Sequence, residues 1–75
     1  MPSERVMVRL IANGATDQDI ATATGQSLGA VKYRLGVLRQ GLRARDRAHM
    51  VALALCQELI SFGDVHIPAP ERSAA

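Results

Sequence analysis

Leu28, Val31, Leu35, Leu38 and Leu42 recur at steps of three, four, three and four, a spacing that stacks five aliphatic side chains on one face of a helix about four turns long. A strand cannot use that spacing, because its side chains change face at every residue. The aromatic content points the same way. Tyr33 and Phe62 are the only aromatics and there is no Trp, so Leu, Ile, Val, Met and Ala must build the core, and these pack well between helices. The chain is therefore expected to be all-α, and 75 residues suffice for one small domain only.

Three further segments carry helix signals. Ser3 is a good N-cap, and Val6, Met7, Leu10 and Ile11 follow on one face, so a first helix is expected over about 3–13, ended by a left-handed residue at Asn13-Gly14. Thr16 with Asp19 three residues on forms a capping box, which predicts a short second helix over about 17–24 before Gly25. Ser27 caps the leucine helix. Asp46 caps a fourth helix expected over 47–62 and stopped by Gly63. From Asp64, with Pro68 and Pro70, no periodicity remains. The division expected is a domain over 1–63 and a flexible tail over 64–75.

The net charge is only +2, but six of the nine basic residues, Lys32, Arg34, Arg39, Arg43, Arg45 and Arg47, fall within sixteen positions whose one acid is Asp46. At 100° per residue the leucine seam leaves Gly29, Tyr33, Gly36, Val37 and Gln40 broadly opposite it. Lys32, Arg39 and Arg43 flank one edge of that outward face, and Arg34 flanks the other. A helix lying in the DNA major groove needs this layout, an outward strip that meets base edges with cations beside it for phosphates. A solvated basic face is the plainer explanation of the same charges. Gly29, Gly36 and Gly41 each cost roughly 1 kcal/mol against Ala within a helix, and at Gly36 close approach of another molecule is a reason to bear that cost.

The second helix, a tight turn at 25–27 and the longer basic helix are the parts of a helix-turn-helix. The resemblance goes further. Leu10-Ile11-Ala12-Asn13-Gly14-Ala15-Thr16-Asp17-Gln18-Asp19-Ile20-Ala21 is similar to the stretch L-I-A-x-G-x-[ST]-N-x-E-I-A, and Gly25-Gln26-Ser27-Leu28-Gly29-Ala30-Val31-Lys32-Tyr33-Arg34-Leu35 to G-I-S-x-x-T-V-K-x-H-L. Asp46-Arg47-Ala48-His49-Met50-Val51 falls where N-R-T-x-A-V is found, with no gap between the blocks. These stretches resemble the LuxR/GerE-type four-helix DNA-binding domain, over about residues 3–60. The resemblance implies that helix three is the recognition helix and helix four the homodimer contact. By it, Lys32 inherits a DNA contact, Tyr33 the variable base-reading position, and Thr16 to Gln18 phosphate contacts. Adding the outward face and its flanks, the expected DNA-binding residues are Thr16, Gln18, Lys32, Tyr33, Arg34, Gly36, Arg39, Gln40, Arg43 and Arg45.

Helix four is apolar all round, with Met50, Val51, Leu53, Leu55, Leu59 and Ile60. If Val51, Ala54 and Leu55 face the domain, then Met50, Leu53, Gln57 and Ile60 are left for a partner, and a two-fold pair of fourth helices is the expected dimer. A tail folded over this face is the competing explanation. A two-fold dimer sets its recognition helices about 34 Å apart and implies a pseudo-palindromic double-stranded DNA site.

Other classes are disfavoured. His49 and Cys56 share a helical face two turns apart, too far for one metal without further ligands, so no metal and no cofactor is expected. No phosphate-binding glycine loop, facing carboxylate pair or based nucleophile is evident, so no enzyme is expected. One cysteine forms no internal disulfide, and the longest apolar run, from Met50 to Cys56, is far short of a membrane span. A cytoplasmic protein is expected. Only three residues precede helix one, which implies a stand-alone transcriptional regulator without an upstream sensing domain. The alternative function is a protein-interaction module on the same fold, favoured by the glycines of helix three, by Ala30, which lacks a hydroxyl, and by the acids Asp17 and Asp19. A third, an antitoxin-like neutralising partner, rests on small size and the loose tail.

Overall fold

The computed structural model describes residues 3–69. Four helices, α1 (Glu4–Ala12), α2 (Asp17–Thr24), α3 (Leu28–Gly41) and α4 (Arg47–Cys56), are followed by a single 3-10 turn at Phe62–Asp64. There is no strand among the described residues.

Each helix starts where a polar side chain can accept a backbone N–H that has no partner within the helix. Ser3 Oγ accepts from Val6 N–H at 3.2 Å, Ser27 Oγ from Ala30 at 3.1 Å, and Asp46 Oδ1 from His49 at 2.8 Å. Thr16 and Asp19 form the reciprocal box: Thr16 Oγ1 accepts from Asp19 N–H and Asp19 Oδ2 accepts from Thr16 N–H.

Each helix also ends in the same way, with a left-handed residue that turns the chain so that the next N–H caps a carbonyl of the last turn. After α1 the left-handed residue is Gly14 (φ 91°), with Ala15 N–H donating to Leu10 O at 3.0 Å. After α2 it is Gly25 (φ 70°), with Gln26 N–H on Ala21 O. After α3 and α4 the position is held by Arg43 (φ 57°) and Glu58 (φ 58°), with Ala44 N–H on Arg39 O and Leu59 N–H on Ala54 O, both at 2.9 Å. The fourth helix thus stops at Cys56, six residues before the end expected from Gly63. A left-handed Glu58, which no sequence rule marks, breaks it.

That early break decides where the apolar residues go. α1 packs against each of the other three helices and α2 against α3, so the core gathers around Met7, Val8 and Ile11. Ile20 and Ala21 join it from α2, Val31, Leu35 and Leu38 from α3, and Ala54 from α4. Met50 and Ile60 are 2% and 1% exposed, buried in this core rather than held out for a partner. Ile60 reaches it because the chain reverses at Glu58 and returns. Of the four residues assigned to a dimer face, Leu53 is half-buried and only Gln57 is exposed.

The start of the expected tail is tied down as well. Asn13 Nδ2 donates to the carbonyls of Arg9 and Asp64, both at 2.8 Å, and its Oδ1 accepts the N–H of His66 at 2.7 Å. The boundary drawn at 64 therefore cuts through a linkage between α1 and residues 64–66. Residues 70–75 of the expected tail lie outside the described residues.

Candidate nucleic-acid interface

The inward face of α3 is set by its seam, with Val31, Leu35 and Leu38 buried and Leu42 half-buried. The rest follows from 3.6 residues per turn. Tyr33 is 73% exposed, Val37 48%, and Lys32, Gly29 and Gln40 are exposed. Gly36 is half-buried, yet a Cβ added there, or at Gly29, would meet nothing within 4 Å. Nothing inside the fold requires glycine at either position.

On one side of this strip two adjoining grooves separate α3 from the starts of α2 and α4. Thr16, Asp17, Gln18, Leu28, Lys32 and Arg47 line the first, while Gly36 and Arg39 join Asp17, Lys32 and Arg47 in the second. Lys32 is exposed and lines both grooves. On the other side Glu4, Ala30, Tyr33, Arg34 and Val37 line a more apolar groove.

The expected binding residues divide by what else they do. Lys32, Tyr33, Gln40, Arg43 and Arg45 are exposed, the last two on the link between α3 and α4. Arg34 donates to Gln26 Oε1 at 3.0 Å, and Gln26 in turn donates to Thr24 Oγ1 at 2.9 Å, a chain that closes the turn between α2 and α3. Arg39 donates to Ala44 O at 3.1 Å and braces the end of its own helix. Thr16 is committed to the α2 cap through both backbone and hydroxyl, and Gln18 Nε2 reaches Thr22 Oγ1 at 3.4 Å. Thr16, Gln18 and Lys32 do meet at one groove, as do Lys32, Gly36 and Arg39 at the next.

Sequence reading missed Arg47 and Gln26. Arg47 donates through one nitrogen to Asp17 Oδ1 at 2.6 Å and through the other to Ala15 O at 2.8 Å. The pair neutralises Asp17, an acid that otherwise opposes any anion at this end of α3. Asp19 stays ionised: the backbone N–H and hydroxyl of Thr16 hold its carboxyl below the usual range. From residue 20 to residue 45 the chain carries five cations and no acid. His49 is not available as a ligand through Nδ1, which accepts the Arg45 N–H at 3.0 Å. No group of three or more His, Cys, Asp or Glu able to hold a metal occurs among the described residues, and no described helix is long and apolar enough to cross a membrane.

No family model matches this chain, and no curated protein or solved structure does either.

Proposed function

We propose that this chain is a DNA-binding transcriptional regulator in which α2, the turn at 25–27 and α3 act as a helix-turn-helix, with α3 entering the major groove of double-stranded DNA. The observation that carries this reading is the pairing of an outward α3 strip headed by Tyr33 with the exposed Lys32 in a stretch free of acids. Lys32, Arg43 and Arg45 neutralise phosphates, and the neutral strip meets base edges. The resemblance to the LuxR/GerE-type domain supports the same assignment, with action as a homodimer on a pseudo-palindromic site. With Met50 and Ile60 used by the core, a pair of fourth helices has Ala48, Ala52 and Cys56 as its exposed face, beside Gln57.

A mobility-shift assay with random duplexes at low salt tests this reading. Binding that fades as salt rises is expected. Absence of binding at micromolar protein refutes it and leaves the second reading, a protein-interaction module. The observation favouring that alternative is the apolar groove of Ala30, Tyr33 and Val37, exposed on the same helix.

A further inference from the structure

We propose that the outward strip of α3 reads A·T base pairs, through thymine methyl groups and an adenine edge, so that the duplex selected by this chain is A·T at the centre of its site. This inference rests on the DNA-binding reading and extends it to base chemistry.

Guanine offers two acceptors in the major groove, O6 and N7, and is matched by Arg or Lys placed against the base edge. On α3 the cations stand off the strip. Arg34 is drawn to Gln26 on one flank, Arg39 to Ala44 on the other, and Lys32 stands over the grooves shared with Asp17 and Arg47. The strip itself holds Gly29, Tyr33, Gly36, Val37 and Gln40. Val37 presents a short aliphatic surface, the complement of a thymine C5 methyl. Gln40 is exposed and carries one donor and one acceptor, the match for adenine N6 and N7. Tyr33 adds an apolar ring with a hydroxyl at its tip.

A short side chain such as Val37 reaches a base only when the helix backbone comes close. Gly29 and Gly36 allow that approach, and the open space around both leaves no internal reason for them. Tyr33 and Gln40 are seven residues apart, so the strip between them extends about 10 Å along the axis, roughly three base-pair steps. Glu4 and Arg34 border the strip together beside Tyr33 and Val37, so that edge carries no net charge, while Lys32 stands at the opposite edge.

The test uses the full chain and duplexes selected from a random pool. The expected site has an A·T centre, and replacing a contacted thymine by deoxyuridine, which lacks only the methyl, weakens binding about fourfold. V37A, a change on an exposed surface, makes binding indifferent to that replacement, and Q40A relaxes the preference for adenine. A G·C centre overturns the proposal, as does an A·T preference that survives both deoxyuridine and V37A, because the duplex shape is then what is read. In either of those outcomes, salt-dependent binding still upholds the DNA-binding reading. Failure to bind any duplex at low salt overturns both.

Discussion

Arg47 at the start of α4 holds Asp17 at the start of α2 at 2.6 Å, and its second guanidinium nitrogen holds the carbonyl of Ala15 in the turn before α2. One side chain thus spans three segments. It also converts a cation and an acid that both bear on the groove beside Lys32 into a neutral pair.

The pair is partly exposed, with side chains 42% and 27% accessible, so its worth is modest. Arg47→Ala is expected to lower stability by about 1 kcal/mol, because an ion pair and a hydrogen bond are lost together. Asp17→Asn, which removes only the charge, should cost less. Urea denaturation with an unchanged slope checks both, and an Arg47→Ala protein as stable as the parent would show that solvent already screens the contact.

Arg43 and Glu58 occupy left-handed positions that glycine fills after α1 and α2. Glu58→Gly should therefore stabilise the fold by about 0.5–1 kcal/mol, since the side chain is strained there and exposed. Arg43→Gly should stabilise by a similar amount while lowering duplex affinity and reducing the salt slope by about one. Opposite signs in the two measurements separate the residue's backbone role from its charge.

Gly36→Ala gives a second divided outcome. A Cβ there meets open space, so the fold should gain about 1 kcal/mol of stability from helix propensity. Duplex binding should weaken several-fold where the backbone approaches the bases closely. Equal affinity in both proteins would remove the reason offered for this glycine.

Acid titrates two caps. Thr16 holds the Asp19 carboxyl, and the backbone N–H of Ser61 holds that of Asp64, below the ordinary range, because both groups are accepted as charged hydrogen-bond partners. A depressed folded value contributes stability that is present above the unfolded value and is lost as pH falls through the folded one. Stability should be flat near neutrality in this respect and decline below about pH 4. Asp19→Asn and Asp64→Asn should each be less stable at neutral pH and flatter in acid, as read by thermal melting at fixed ionic strength.

The helix starts were legible because capping is local chemistry: Ser3, Thr16, Ser27 and Asp46 each need only a neighbour two or three residues on. The stops at Gly14 and Gly25 were legible for the same reason. The stop after Cys56 was not, since a glutamate in a left-handed conformation has no composition signature. Two errors followed: a helix drawn to Phe62 leaves Ile60 on an outer face, whereas the reversal at Glu58 brings it into the core, and Met50, four residues before the inward Ala54, shares that buried face whatever the length of the helix. On α3 the phase of the leucine seam was enough to place Lys32 and Tyr33 outside. The occupation of Arg34, Arg39 and Arg47 was hidden because long side chains choose among many partners, from five residues away for Arg39 and Ala44 to thirty-two for Arg47 and Ala15.

The exposure of Tyr33 has a practical consequence. With one tyrosine and no tryptophan in the chain, ultraviolet emission comes essentially from a single ring on the outward side of α3. That fluorophore serves as a native probe of whatever molecule settles against the helix, and no dye need be attached.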